Sequence, residues 1–264
     1  MRVRIQPYGA SRSARKLCNA LNDLGELGRV VRLKRAGQSS YVPREDDIVI
    51  NWGSQTERFD ERHYINQPRL IHYASDKTMA FRLMQGKAII PDFTAYKWDA
   101  EEWQRQGHTV YARTTVTGHS GRGIVICKPD DVLPDAPLYT KQVIAEDEYR
   151  MHVCKMGDEY QVFDQQQKKR KNGVESNEEI RNHSNGWIFA RRELRVPDKV
   201  KTEAINALAA MGLDFGGVDV AYNRELDVAT VYEVNTACGI EGSSLARYAR
   251  MFCDMIERRN DHAG

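Results

Sequence analysis

The chain has 264 residues, 41% of them apolar and 29% charged, with a formal net charge of +2 at pH 7. That balance suits a globular protein of two or three lobes and gives no basis for a disordered chain, nor for nucleic acid or a membrane as a partner. No apolar run approaches the ~20 residues that cross a bilayer, the start MRVRIQPYG lacks an apolar signal region, and the five cysteines never fall in CxxC spacing, so a cytoplasmic protein with free thiols and no zinc site is expected.

Met1 to Gln6 reads as a strand closed by Pro7-Tyr8-Gly9. Ser11 to Leu24 carries Leu17, Ala20, Leu21 and Leu24 at helical spacing behind a serine N-cap. Val30 to Leu33, Asp47 to Trp52 and Leu70 to Tyr73 read as three further strands, which predicts a small parallel α/β domain over residues 1–74. Asn51 and Gly53 lie at the carboxyl end of one of them, where such sheets bind ligands, although Gly-Ser after a strand also makes a plain turn.

At Ser75-Asp76-Lys77 a helix begins, with Ala80, Leu83 and Met84 on its apolar face, and a second lobe is assigned to residues 75–136. Ala88 to Phe93 is extended, Ala100 to Gln106 helical, and Thr109 to Thr115 an alternating strand. Gly118-His119-Ser120-Gly121-Arg122-Gly123 follows, ahead of the apolar run Ile124 to Ile126. Backbone N–H groups in such a tip could close over phosphate, although glycine-rich tips also serve as plain turns, and His119 reads as an exposed loop residue.

A third lobe, residues 137–264, opens with strands at Pro137 to Ile144 and Glu148 to Val153. In the second, Glu148, Arg150 and His152 share one face and Tyr149, Met151 and Val153 the other. Arg150 beside an acid is either a structural ion pair or a phosphate clamp. Gln161 to Asp164 continues the sheet, the basic run Lys168 to Lys171 reads as a solvated loop, and Ile180 to Phe189 as an ordered loop anchored by Trp187. Helices are predicted at Lys199 to Met211, stopped by Gly212, and at Ser243 to Arg258.

Between those helices lies the sequence GGVDVAYNRELDVATVYEVN. Gly217 to Tyr222 and Ala229 to Asn235 read as the arms of a hairpin, and a turn near Leu226 sets Asp219 opposite Glu233. Glu233 and Asn235 then share a face, while Val218, Val220 and Val234 turn to a core. Opposed carboxylates repel, and a divalent cation relieves this; two carboxylates and an amide suit Mg²⁺. A solvated sheet face with ordinary acidic residues would show the same pattern.

From Ser75 onward the chain resembles the ATP-grasp enzymes, most of all the glutamate ligases that modify a ribosomal protein's tail. The segment Glu233-Val234-Asn235-Thr236-Ala237-Cys238-Gly239-Ile240-Glu241-Gly242 is similar to that branch's E-V-N-x-x-P-G-L-E-G, with Cys238 where proline is usual. The resemblance implies an α/β ATP-grasp fold in which an N-terminal α/β domain precedes two α+β lobes that clasp ATP. Asp219, Glu233 and Asn235 would hold two Mg²⁺ ions, for which Mn²⁺ could substitute. Gly118, His119, Ser120, Gly121 and Gly123 would form the phosphate-covering loop, Gln142 and Val143 the adenine hinge, and Glu148 the ribose-binding acid. Arg181-Asn182-His183 resembles the family's R-S-N, and Lys77 the lysine that opens its central domain. Arg113 stands where the family has lysine, keeping the charge but not the shape of an ammonium.

The activity implied is an ATP-dependent carboxylate-amine ligase working through an acyl phosphate and releasing ADP and phosphate. Arg150, Arg181 and Lys169 are the candidates for neutralising the transferred group. The partners implied are ATP, a carboxylate and an amine, either of which could belong to a peptide or protein. A small-molecule kinase and a nucleotide-binding protein without turnover are the alternatives.

Overall fold

The runs of alternating and helical periodicity fold into three sheets in a computed structural model of the chain, which describes residues 1–34, 39–117, 123–173, 181 and 185–261. The first sheet is parallel, with the order β2 (Val31–Arg32), β1 (Val3–Pro7), β3 (Ile48–Trp52), β4 (Tyr64–Ile65). Helix α1 (Arg12–Leu24) covers it. Ser11 caps that helix by accepting from the Ala14 N–H at 3.1 Å, and Ala14, Leu17 and Leu21 bury its apolar stripe.

The strand expected at Leu70 to Tyr73 is instead helical, within α2 (Pro68–Ser75), and Tyr64–Ile65 supplies the fourth strand. A four-residue apolar run does not choose between strand and helix by itself. Pro68 decides, because in a first helical turn its missing N–H costs nothing and its φ is already set. Helix α3 (Lys77–Met84) starts as expected, with Asp76 accepting from the N–H groups of Thr78 and Met79 at 2.9 and 3.0 Å.

The second sheet is antiparallel, in the order β5 (Phe93–Thr94), β8 (Leu138–Lys141), β6 (Val110–Arg113), β7 (Ile124–Cys127), with α4 (Lys97–Arg105) against it. The third holds five strands in the order β11 (Trp187–Ala190), β10 (Glu159–Arg170), β9 (Asp147–Met156), β12 (Phe215–Asn223), β13 (Val228–Asn235). β10 runs through Lys168, Lys169 and Arg170, so most of the basic run is strand and not loop, and Trp187 begins a strand as well. Ladder pairing with β9 and β11 carries β10 past the point where its apolar alternation stops.

One face of the third sheet packs Tyr149, Met151, Val153, Val218, Val220, Val231 and Val234 against α5 (Asp198–Met211), α2 and α3. The final helix, α6 (Ser243–Asp261), joins the first sheet: Tyr248, Phe252 and Ile256 share a cluster with Ile5, Leu17 and Trp52. No helix among the described residues is long and apolar enough to cross a membrane.

Candidate active site

The face of the third sheet away from that core carries the candidate residues. Across four strands one line of partners runs Gln166, Arg150, Asp219, Glu233. The β12–β13 ladder reaches it through a bulge: Val220 pairs with Val231 but Asp219 with Glu233, leaving Tyr232 without a partner. The bulge lets Val231 and Val234 both enter the core while Glu233 and Asn235 stay on the opposite face. The expected pairing of Asp219 with Glu233 is therefore present, produced by the turn and the bulge together.

Each acid in the line has a basic partner. Arg150 grips Asp219 with two bonds, Nε to Oδ1 at 2.6 Å and Nη2 to Oδ2 at 2.7 Å, and its guanidinium lies 4.6 Å from the centre of the Phe189 ring. Burial works against the Arg150 charge, but Asp219 more than offsets it and raises the pKa above the ordinary arginine value. Lys77 places Nζ 2.5 Å from Glu233 Oε2, while Asn235 Nδ2 donates to Glu233 Oε1 at 3.1 Å. Burial pushes the Glu233 carboxyl up, and Lys77, with Arg150 and Asn235 behind it, overrides that and holds it well below the usual carboxylate range.

Arg113 comes from the second sheet. Val110 and Ala112 of β6 face that sheet's own core, which turns Tyr111 and Arg113 the other way. Its Nε is buried with no hydrogen-bond partner; burial lowers its pKa, and the Glu233 carboxylate acts back on it. Glu148 is bonded to Lys168 Nζ at 2.6 Å and lies 3.7 Å from Arg181 Nε. Arg181 also donates to the carbonyls of Glu146 and Ala145, at 2.9 and 3.1 Å, and rests on Trp187.

Gln142 and Val143 lie in the segment joining β8 to β9, between the second and third sheets, and the Gln142 N–H is bound to Thr109. Gly123 has a φ of 73°, and a Cβ there would come within 2.5 Å of Thr115. The candidates Gly118, His119, Ser120, Gly121, Asn182 and His183 lie outside the described residues. Asn51 does not join the site: it is buried and closes the turn after β3 through two bonds to Ser54.

The structure adds Lys168, Tyr232 and Phe189 to the residues named from sequence. Lys168 pairs with Phe189 across β10 and β11 and so shares the face of Glu148, whereas Lys169 alternates away. Treating the basic run as loop hid this. Alternation counted back from Val234 assigns Tyr232 to the core face, because the bulge breaks that alternation without any glycine or proline to announce it.

The donor set fits Mg²⁺ chemically. Among the described residues no group of three or more His, Cys, Asp or Glu side chains gathers around a point, which argues against an all-protein cage. Magnesium needs none, since it binds through one or two carboxylates plus phosphate and water. Asp219 and Glu233 are opposed on one face, and protein cations compensate their charge.

No protein-family description matches the chain, and neither does any curated protein. Solved structures do. The chain is similar to the ATP-grasp ligase PsnB complexed with minimal precursor, at 14% identity and a TM-score of 0.67, over 97% of this chain and 98% of that one. It is similar to a carboxyaminoimidazole ribonucleotide synthase from Aspergillus clavatus complexed with ATP, at 15% identity and a TM-score of 0.65, over 96% and 77%. It is also similar to a D-alanine–D-alanine ligase from Bacillus anthracis, at 12% identity and a TM-score of 0.63, over the whole of both chains. The chain has the ATP-grasp fold.

Proposed function

We propose that the protein is an ATP-dependent ligase that joins a carboxylate to an amine, releasing ADP and phosphate. The observation that carries this reading is the line Arg150, Asp219, Glu233, with Lys77 and Arg113 reaching it from other elements. Solved structures of the same fold are ligases, among them the precursor-bound PsnB, and this supports the same reaction class here.

Asp219, Glu233 and Asn235 are the residues that would hold Mg²⁺, as one ion or two. When bound it would neutralise phosphate oxygens of ATP. The protein's own groups do the rest. Lys77 and Arg113 bring positive charge to the side of Glu233, where phosphate would enter. Arg113 is pre-desolvated, so its free donor gains a full charge-assisted bond when an anion arrives. Arg150, fixed by Asp219 and Phe189, cannot swing away, and a fixed cation stabilises developing charge without reorganisation. Glu148 sits close to the segment with Gln142 and Val143, which suits an acid reading ribose hydroxyls beside adenine.

The γ-phosphoryl of ATP would pass to a substrate carboxylate oxygen, the amine would attack the acyl carbon, and phosphate would leave. No protein nucleophile is required. The test is ADP release from purified protein over mixtures of carboxylates and amines. Release that needs both supports the ligase, whereas release with the carboxylate or another acceptor alone identifies a kinase. Nucleotide binding with no ADP under any mixture would sink both.

A further inference from the structure

Beside the candidate active site, the carboxyl end of β1 and the start of α1 meet the outer strands of the third sheet across a cleft of about 550 Å³. That volume suits a small molecule. Its lining is unbalanced: Arg12, Lys16, Lys168, Arg181 and Arg191 stand against the single carboxylate of Glu241. Three of the five cations are engaged, Lys16 by Glu241 at 2.5 Å, and Lys168 and Arg181 by Glu148.

The other two carry the argument. No carboxylate of a described residue forms an ion pair with Arg12 or Arg191. Arg12 is exposed on the first turn of α1, and Arg191 spends its Nε on Ser244 Oγ at 3.1 Å, leaving the guanidinium end. Both act on Glu241, whose pKa is lowered by the Lys16 hydrogen bond and charge first and then by Arg12 and Arg191. A cleft lined by one sign of charge concentrates ligands of the other. Lys168 and Arg181 belong both to this lining and to the surroundings of Glu148, so the cleft adjoins the candidate active site.

We propose that this cleft takes the acceptor substrate, and that the acceptor is a small polyacid: one carboxylate lies at the Lys168 and Arg181 end, toward the candidate active site, and at least one further acid group is held by Arg12 and Arg191. This rests on the ligase reading for its role, while the charge preference stands on the cleft itself.

The test is calorimetric titration of the full chain with glutarate and citrate, with butyrate as the one-acid counterpart, and separately with ADP in the presence of Mg²⁺. Glutarate and citrate should bind well ahead of butyrate. Citrate affinity should fall roughly tenfold or more in Arg12→Gln and in Arg191→Gln, the loss expected for one charge-assisted contact. Arg15→Gln, an exposed cation of α1 outside the lining, should leave it unchanged. Butyrate binding as tightly as glutarate, no binding of either polyacid, or equal losses in all three variants would overturn the proposal. If ADP binding is absent while citrate binding persists, the ligase reading fails alone. If ADP binds and no polyacid does, this inference fails alone.

Discussion

Asp219 lies opposite Glu233 across a ladder in which Val220 lies opposite Val231, and the surplus residue between them, Tyr232, is absorbed in a bulge. Regular pairing from Val220 onward would set Tyr232 against Asp219 and turn Glu233 into the valine core. The bulge is therefore what makes an acidic pair out of this sequence.

Deleting Tyr232 should restore plain alternation with every other residue on its present face. Ala229, Val231 and Val234 would stay in the core and Glu233 would stay opposite Asp219. Deleting Thr230 instead would turn Val231 out and Tyr232 in, costing at least the ~1.5–3 kcal/mol of one buried aliphatic side chain. Urea unfolding of the two deletions should rank them in that order. Equal stabilities would mean that the bulge does not set the faces.

Arg113 should trade stability for binding. An unsatisfied buried donor costs roughly 1–3 kcal/mol, so Arg113→Met should melt no lower than the parent and could melt higher. The same change should weaken ATP about ten- to a hundredfold, and Arg113→Lys should retain most of the affinity. A variant that loses stability but binds ATP normally would show that Arg113 is a structural residue.

Replacing Glu233 with Gln should separate chemistry from fold. It removes repulsion toward Asp219 but also the partner of Lys77, and because Lys77 and Arg150 hold the folded carboxyl below its unfolded range, the net should be a loss of roughly 1–3 kcal/mol with the fold retained. ADP formation should fall about a hundredfold or more, because the carboxylate would serve a cation whose charge is worth several kcal/mol in the transition state. Wild-type turnover in this variant would remove Glu233 from the site.

Asp47 gives a prediction about pH. Burial raises its pKa, but Arg2, the Arg44 N–H and the Tyr41 hydroxyl more than reverse this, so the carboxyl lies far below its unfolded value. A depressed folded pKa stabilises above the unfolded value, near 3.9, and that contribution is lost as pH falls toward the folded one. Asp47→Asn should therefore cost roughly 1.5–3 kcal/mol at pH 7, with the gap to wild type closing progressively below about pH 4. A gap that is constant from pH 7 down to pH 3 would contradict this.

Where chemistry and periodicity agreed, the sequence was readable. Ser11 and Asp76 are N-caps, Gly212 closes α5, and Arg150 shares a face with Glu148 because regular alternation holds along β9. Errors fell where tertiary context chose. Leu70 to Tyr73 is apolar enough for either state, and only the helix-compatible Pro68 separates them. Lys168 and Lys169 are strand residues because neighbouring strands pair with them, which no local pattern of Gln and Lys reveals. The pairing of Arg150 with Asp219 and of Lys77 with Glu233 joins positions 69 and 156 residues apart, beyond the reach of any local reading.

The docking of α6 on the first sheet has a consequence for biosynthesis. Arg250 pairs with Glu26, 224 positions earlier, and Tyr248, Phe252 and Ile256 complete the core around Trp52. At ~5–20 residues per second, the first sheet leaves the ribosome on the order of ten to forty seconds before the helix that seals it. During that interval only α1 covers the wall of Trp52 and Ile5, and the part that α6 fills stays open, so the nascent chain should recruit chaperones through this sheet. Full burial of its tryptophan should be among the last events of folding.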